Sequence, residues 1–556
     1  MTRGDVLGWE AFRELLARFA ATPLGRDRAL GLRSSPTPTV VQAALVETRE
    51  ARWALTTEGP SPWEGISDPR PALRQAALEG AVLDGPALAS LGRALAAAAR
   101  LAAYGRRLGA GAPTLSELWR RLPTCPDLAA RLAHDLDPDG QLLDRASPRL
   151  RALRRQLQSL RGELQARLEA LLQSPTLAPV LQERYVTLRN GRYVLPIRGD
   201  GRRAVRGIVH DRSSSGATLF VEPEEVVDLN NRLTQRTLEE RDEADRLLQE
   251  LTRRVHQHLP ALETLVDGLG RLDLAFARAA LAERLGASEP EVRDGADLEL
   301  RQARHPLLSA QRWDGGPPVV PVDLLVPGDR PGLLVSGPNA GGKTVALETA
   351  GLLVLMAQAG CHIPAAAGSR LPICDQVLAV IGDEQSLAQD LSTFSSFVAQ
   401  VREILAAATP RSLVLLDELG AGTDPAEGAA LGAALLEALL DRGARVLATT
   451  HLEPLKIFAQ LEPRMTNAAV AFDAERLEPT FRLEYGRPGP SYALTIAERL
   501  GLSAPVVARA RAHLGDATRR LEALLADLAA REREAAARAA DLAGREAAAA
   551  DATARA

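Results

Sequence analysis

The chain has 556 residues, which at roughly 150 residues per domain predicts three or four domains rather than one. Hydrophobic residues make up 46% and charged residues 25% of the sequence, so collagen-like, disulfide-rich and wholly disordered classes are excluded. The 67 basic and 71 acidic residues give a net charge of −4, and any surface for nucleic acid must therefore be local.

Residues 1–148 are predicted to form a mainly helical domain. They are dense in Leu, Ala and Arg, with Pro-, Ser- and Gly-containing breaks at 34–36 and 59–62. The segment shows no catalytic pattern.

Two long helices are predicted within 149–260. Leucines fall at three- and four-residue spacing from Leu150 to Leu171, and a second amphipathic segment runs from Asn231 to Leu259. Such narrow apolar seams favour an antiparallel coiled-coil arm, although a plain helical hairpin within a bundle would give the same pattern. Residues 261–300 are expected to return as helix to the first domain.

Between these helices, at about 184–228, short apolar runs alternate with Gly, Asn and Asp, which predicts a small β-rich tip. From Arg184 to Arg212 the segment holds eight arginines against two aspartates. Such a concentrated positive surface suits a nucleic-acid backbone, whereas the alternative is that some of the arginines only solvate a small sheet. The candidate contacts are Arg189, Arg192, Arg198, Arg202, Arg203 and Arg206.

A phosphate-binding loop is predicted at 337–344. An apolar strand precedes it and an apolar helix follows, which is the setting that the GxxxxGK[ST] pattern requires. Lys343 would reach the β- and γ-phosphates of ATP, and the Thr344 hydroxyl would hold Mg²⁺. Only two of the 67 basic residues are lysines, and a surviving lysine indicates a site that needs a compact ammonium group. The nucleotide-binding candidates in this loop are Gly337, Pro338, Asn339, Ala340, Gly341, Gly342, Lys343 and Thr344.

Two further strands are predicted to end in polar side chains. Residues 413–416 lead into Asp417, placed to hold the Mg²⁺ shell, and Glu418, placed to polarise the attacking water. Residues 445–450 lead into His451, which is predicted to sense the γ-phosphate through a water, the alternative being a purely structural histidine.

Ser392 opens a predicted helix and is suited to cap it. The outward-facing amides of that first turn would bind an anion if a second subunit presented its γ-phosphate, which would make ATP the link in a dimer. Simple helix capping is the alternative reading.

These motifs together resemble the MutS-type branch of the ABC ATPases. The matching blocks are Arg304-His305-Pro306, GPNAGGKT at 337–344, Ser392-Thr393-Phe394, LLDELGAGTDP at 415–425, ATTH at 448–451 and Pro490-Ser491-Tyr492. Within that family, RNGRYVLP at 189–196 and GIVHDRSSSGATLFVEP at 207–223 are similar to the second bacterial MutS paralogue subfamily, which lacks the mismatch-reading domains.

The resemblance implies an α/β ABC-type P-loop ATPase domain at 301–500. It also implies a mainly helical lever with an antiparallel coiled-coil arm, tipped by a small β-rich clamp. Residues 501–556 are expected to be dimerisation helices and an Ala/Arg/Glu-rich linker. A homodimer would enclose DNA and form two composite ATP sites, with Mg²⁺ and with Ser392 acting in trans.

The resemblance further implies an ATPase that binds branched DNA and suppresses recombination. The alternative is an ATPase that binds rRNA and splits stalled or collided ribosomes, and a chromosome-organising ATPase is a third possibility that predicts longer coiled coils. The small nuclease motif of full-length relatives is not found, so endonuclease activity is not carried over.

The expected location is the cytoplasm. Three cysteines cannot all pair, and the sequence shows neither a signal peptide nor a run of about 18 apolar residues. No membrane partner is expected.

Overall fold

The computed structural model describes residues 6–337, 342–382, 393–473, 478–487, 497–498 and 501–513. Its helices are α1 (Trp9–Ala17), α2 (Pro23–Leu30), α3 (Pro38–Glu58), α4 (Arg70–Ala76), α5 (Gly85–Leu108), α6 (Pro113–Arg121), α7 (Pro126–Asp135), α8 (Pro148–Leu172), α9 (Glu224–Gln257), α10 (Leu259–Leu285), α11 (Pro306–Gln311), α12 (Lys343–Gln358), α13 (Thr393–Ala407), α14 (Pro425–Asp441), α15 (Glu453–Leu461) and α16 (Ala504–His513). Its strands are β1 (Thr187–Arg189), β2 (Arg192–Arg198), β3 (Gly207–Arg212), β4 (Thr218–Pro223), β5 (Glu291–Arg293), β6 (Leu298–Ala303), β7 (Val322–Val326), β8 (Gly332–Ser336), β9 (Arg370–Pro372), β10 (Gln376–Val380), β11 (Ser412–Leu416), β12 (Arg445–Thr450), β13 (Met465–Asp473) and β14 (Glu478–Tyr485). A mixed α/β fold with a large helical part is confirmed.

The helical part has its own hydrophobic core. Helices α3 to α7 and α10, with the last turns of α9, bury leucines, alanines and an aromatic group around Tyr104, Trp119 and Phe276. Local sequence sets the helix starts, because Thr22 and Asp84 cap α2 and α5 through side-chain oxygens and proline occupies a first-turn position in each helix.

Helices α8 and α9 form an antiparallel pair. All buried residues of α8 are leucines, spaced three or four apart from Leu150 to Leu172. Ser147 Oγ donates to Glu243 Oε1 at 2.7 Å and Arg154 Nε donates to Glu240 Oε1 at 3.0 Å, so the two helices run in opposite directions. Helix α9 begins at Glu224 rather than near Asn231, since its first acidic residues suit the positive end of a helix.

A four-stranded antiparallel sheet, the tip sheet β1–β4, packs where α8 ends and α9 begins. Its strand order is β1-β2-β4-β3, and Leu195, Ile197 and Val221 share one core with the leucines of α8. Asn190 donates from Nδ2 to the His210 carbonyl at 2.9 Å, which links the β1–β2 turn to the opposite edge strand.

The remaining strands form two sheets. One has the order β10-β11-β12-β8-β13-β14, in which β10 to β13 are parallel and β14 is antiparallel to β13. The other has the order β5-β9-β6-β7. The carboxyl ends of β8, β11 and β12 therefore meet at one edge of the larger sheet, where open α/β sheets place their ligands.

The first helix of the chain belongs to the core of this sheet region. Residues of α1, α3 and α10 share one hydrophobic cluster with α12 and both sheets. At Gly351 of α12, an added Cβ would come within 2.6 Å of Leu415 Cδ1 and 3.0 Å of Leu7 Cδ2, so close packing there requires glycine. The helical and sheet regions are thus joined by apolar packing as well as by the chain.

A polar joint also connects α3 to the segment after α12. Thr48 donates from Oγ1 to the Gly360 carbonyl at 2.6 Å, and Arg52 Nη1 lies 3.0 Å from His362 Nδ1. Because a guanidinium only donates, Nδ1 must carry a lone pair, and the histidine is neutral at this joint. Burial, with the nearby Arg52 charge, lowers the pKa of His362 from 6.5 to about 4.

This joint makes stability depend on pH. The unfolded chain binds a proton at His362 between about pH 6.5 and 4 whereas the folded chain does not, so the stabilisation present above pH 6.5 is lost as the pH falls towards 4. We expect His362→Gln, which keeps an acceptor for Arg52, to reduce the fall in melting temperature over that range. The exposed His513→Gln is the control, and equal pH profiles for wild type and His362→Gln would contradict the assignment.

Candidate functional site

The predicted phosphate loop leaves the sheet edge at Gly337 and enters α12 at Gly342. Both glycines have positive φ, 144° and 80°, and a Cβ on Gly342 would approach Phe481 Cδ1 to 2.9 Å. Glycine is therefore required at Gly342 by both conformation and space. Pro338, Asn339, Ala340 and Gly341 lie outside the described residues.

Lys343 is the first residue of α12 and is buried, with 3% of its surface exposed. Its Nζ donates to the Gly337 carbonyl at 2.7 Å, so the ammonium group connects the start of α12 to the residue that follows β8. Burial lowers the pKa of Lys343, while the nearby carboxylates of Glu418 and Asp417 act in the opposite direction. A cation at the start of a helix is a setting that suits an anionic ligand.

Two hydroxyl groups hold the carboxylate of Asp417, directly after β11. Thr344 Oγ1 donates to Oδ2 at 2.6 Å, and Thr449 Oγ1 of β12 donates to Oδ1 at 2.5 Å. The structure thus brings Thr344 and Asp417 together as predicted for the metal site. A hydroxyl and a carboxylate oxygen are ligands that Mg²⁺ accepts, and the residues present fit this ion.

Glu418 is held in an unusual backbone conformation. Its φ is 49°, in the left-handed region, and its N–H donates to Thr449 Oγ1 at 2.8 Å. Such a conformation is costly for a residue with a side chain and persists when the surroundings fix it. Asp417, Glu418 and Thr344 line one cavity, together with Val380, Gly382, Ser396, Phe397, Gln400, Ala421 and Gly422.

The other two residues predicted for the ATP site are His451 and Ser392, and the described part of the structure shows neither in the cavity of Glu418. His451 follows β12 and is exposed, and it is not among the residues that line the cavity of Glu418. Ser392 lies outside the described residues. Helix α13 begins directly after it, and the first turns of α13 line that cavity through Ser396, Phe397 and Gln400.

Sequence reasoning missed an apolar cavity of about 210 Å³ beside the loop. Its lining includes Gly342, Val345, Val320, Phe481 and His305. Burial lowers the pKa of His305 to about 4, which keeps the imidazole neutral among apolar neighbours. The local sequence signal for this cavity is the run of two prolines and two valines before β7. That run could not predict a cavity by itself, because Phe481 of β14, which is distant in the sequence, forms another part of the lining.

The tip arginines divide into two groups. Arg189 stacks on Phe220 at 4.4 Å from its ring centre and Arg192 donates to Asn231 Oδ1 at 2.7 Å. Arg198 pairs with Asp200 at 2.7 Å, and Arg202 donates to two backbone carbonyls.

By contrast, the side chains of Arg203 and Arg206 are exposed and make no hydrogen bond or ion pair with any residue that the structure describes. These two cations are therefore available to an external anion. The first four are at least partly engaged within the fold.

Within the described ranges, no cluster of three or more His, Cys, Asp or Glu side chains is arranged to hold a metal ion. None of the helices that the structure describes combines the length and apolar character needed to span a bilayer.

Comparison with known proteins relates the sequence of this chain to one family. A family model described as MutS domain V matches residues 333–517. The chain is 43% identical over 522 residues to the endonuclease MutS2 of Pelotomaculum thermopropionicum, covering 94% of this chain and 66% of that protein. It is 40% identical over 533 residues to the endonuclease MutS2 of Geobacillus thermodenitrificans, covering 95% of this chain and 67% of that protein. The chain thus spans about two thirds of the length of these relatives.

The two hydroxyls on Asp417 predict a selective effect on metal-dependent binding. Thr449→Val removes one of them and leaves the Glu418 amide without its acceptor, so we expect Mg²⁺ to strengthen nucleotide binding about tenfold less than in wild type. The measurement is nucleotide affinity with Mg²⁺ and with EDTA. Thr450→Val is the matched control, because the Thr450 hydroxyl donates to the Leu419 carbonyl and not to Asp417. Equal Mg²⁺ dependence in both variants would count against the site.

Proposed function

Because the chain belongs to the MutS family, and to its MutS2 branch, we propose that it is an ATP-driven homodimeric clamp that binds branched DNA and suppresses recombination. The observation that carries the ATPase part is the Asp417 carboxylate held between Thr344 and Thr449, beside Lys343 and Glu418. The β-rich tip with its exposed arginines supports the nucleic-acid part.

The ATP site is assigned from these contacts. Lys343 neutralises the β- and γ-phosphates, while Thr344 and Asp417 hold Mg²⁺, which supplies charge stabilisation to the transferring phosphoryl group. The apolar cavity lined by Val320 and Phe481 opens beside Gly342 and takes the adenine base. A flat, largely apolar ring then lies next to the loop that binds its phosphates.

Glu418 is the proposed general base. Its carboxylate shares the cavity with Asp417, and Thr449 fixes its backbone, so the group is positioned before a water arrives. His451, at the end of the next strand, is proposed to contact the γ-phosphate through a water.

Two substitutions separate binding from hydrolysis. Lys343→Ala removes the buried cation, and we expect ATP affinity to fall on the order of 100-fold. Glu418→Ala leaves the loop intact, so ATP should still bind while turnover falls roughly 10²- to 10⁴-fold. Equilibrium binding and steady-state phosphate release measure the two effects, and normal turnover by Glu418→Ala would remove its role as base.

The homodimer is part of this proposal and is supported by the family relationship. Ser392 directly precedes α13, whose first turns line the cavity of Glu418 in the same chain. We propose that ATP binding brings two copies together and that Ser392 of each copy contacts the γ-phosphate held by the other.

The helix pair α8–α9 is proposed to be the arm of the clamp, with the tip sheet as its nucleic-acid contact and the helical part as the lever. Arg203 and Arg206 are the strongest contact candidates, because their guanidinium groups are exposed and unengaged within the described residues. The other four candidates also contribute to nucleic-acid binding in this proposal, either by giving up their contacts within the fold or in addition to them: Arg189, Arg192, Arg198 and Arg202.

Charge reversal tests this surface. We expect the Arg203→Glu and Arg206→Glu double variant to bind duplex and four-way-junction DNA more weakly, with the salt slope lower by about one per lost phosphate contact. The control with equal charge change is Arg330→Glu with Arg442→Glu, two exposed arginines of the sheet region. Wild-type affinity and slope in the tip variant would show that the tip arginines only solvate the sheet.

A competition binding experiment distinguishes the two candidate targets, branched DNA and the ribosome. The Glu418→Ala protein with ATP bound is offered four-way-junction DNA, linear duplex and purified ribosomes at physiological salt. Preference for the junction supports recombination control. Preference for ribosomes would instead indicate that the clamp binds rRNA and that the physiological target is the ribosome. The relatives are named endonucleases, and our proposal for this chain does not include endonuclease activity.

A further inference from the structure

The two helices of the arm use their arginines differently. Helix α9 has six arginines and nine acidic residues, and four of its arginines pair with acidic residues of the same helix: Arg232, Arg236, Arg246 and Arg254. Helix α8 has six arginines and only two glutamates. Four of the α8 arginines are exposed, and their side chains make no hydrogen bond or ion pair with any residue that the structure describes: Arg151, Arg155, Arg161 and Arg167. Helix α8 is therefore the basic helix of the arm.

Arg151 and Arg155 share one face of α8 with Ser159 and Gly162. Spacings of four, four and three residues place these positions in one row along the helix, about 16 Å long. All four are exposed, whereas the buried leucines of α8 lie on the other side of the helix. We call this row the α8 face. It begins next to Leu150, which belongs to the core of the helical part, so it is separate from the tip sheet.

Two features of the α8 face weaken the helix that carries it. Arg151 and Arg155 are like charges one turn apart, and such pairs destabilise a helix. Gly162 lies inside the helix, where glycine is less favourable than any residue except proline. A Cβ at Gly162 would meet nothing within 4 Å, so packing within the described structure does not require glycine there. Features that break local rules without a gain inside the fold are expected at functional surfaces.

The chemistry of the α8 face selects a polyanion over a protein partner. None of the large apolar side chains exposed in the part of the chain that the structure describes lies on α8, whereas protein interfaces usually centre on buried aromatic and apolar groups. Free arginines and a hydroxyl are the groups that contact phosphate oxygens of nucleic acid. A glycine allows close approach of a backbone, because it has no side chain to displace.

We propose that the α8 face is a second nucleic-acid surface of the arm and binds the phosphate backbone of duplex DNA. Arg151 and Arg155 pair with neighbouring phosphates, Ser159 donates its hydroxyl to a phosphate oxygen, and Gly162 leaves room for the strand. This inference rests on the proposed DNA-binding function. It goes beyond that function because the duplex then lies against the arm where it joins the helical part, as well as at the tip sheet.

Neutralising the two arginines tests the charge of the α8 face. We expect the full chain with Arg151→Gln and Arg155→Gln to bind linear duplex DNA about tenfold more weakly, with a salt slope lower by about two. Its melting temperature should not fall, because a like-charge pair is removed. The matched control is Arg241→Gln with Arg253→Gln, which neutralises two exposed α9 arginines that also make no ion pair within the described residues. This control should keep the affinity and slope of wild type.

A substitution at Gly162 separates binding from stability. Glutamine is the better helix former, so the melting temperature of Gly162→Gln should equal or exceed that of wild type. Its side chain occupies the room for the strand, and we expect affinity for duplex DNA to fall about threefold. A purely solvated helix face would give the gain in stability without the loss of binding.

Three results would overturn the proposal. These are equal affinity and salt slope in the α8 and α9 double variants, wild-type affinity in Gly162→Gln, and a loss by the α8 double variant that is confined to an RNA duplex of the same sequence. The tip variant Arg203→Glu with Arg206→Glu is measured in parallel. If it binds DNA more weakly while the α8 double variant binds like its control, only the α8 face is refuted. If wild type shows no salt-dependent binding to DNA, the proposed function itself fails.

Discussion

The pairing of Asp417 with two threonine hydroxyls is the interaction on which the site depends. Thr344 lies in the first turn of α12, Asp417 follows β11 and Thr449 lies near the end of β12, so one carboxylate joins three segments that are far apart in the sequence. This is possible only because β11, β12 and β8 are parallel neighbours whose carboxyl ends meet. A change at Asp417 therefore also affects the backbone of Glu418, because the Glu418 amide donates to the same Thr449 hydroxyl.

The sequence predicts the residues of this site better than their arrangement. The phosphate loop and the Asp417–Glu418 pair are local patterns, with glycine, lysine and carboxylates at fixed spacing. Such patterns can be recognised in a sequence without knowledge of the fold. The second hydroxyl on Asp417 and the cavity at Phe481 arise from strand order, which brings β8, β12 and β14 together only in three dimensions. The start of α9 was also misplaced, because its first turn is read equally well as the end of the tip.

Arginine count and available charge are different quantities at the tip. Composition predicts a strongly positive surface, but most of the predicted cations are engaged by Asn231, Asp200, Phe220 or backbone carbonyls. The sheet is stabilised by its apolar face against α8, and these side-chain contacts add to that packing. The same residue type therefore serves both the folding of the sheet and its exposed surface, and position in the sheet decides which.

The packing of Leu7, which precedes α1, against α12 also bears on how the chain is made. Leu7 lies beside Gly351 across well over half of the sequence, so this contact can form only after α12 has been made. Chains fold largely in order of synthesis, and contacts between distant segments form slowly. The core around α12 can thus be completed only late in translation. A nascent chain that stops short of α12 would leave Leu7 and the rest of the apolar cluster that it shares with α12 incompletely covered, and exposed apolar surface of this kind is a target for chaperones and proteases.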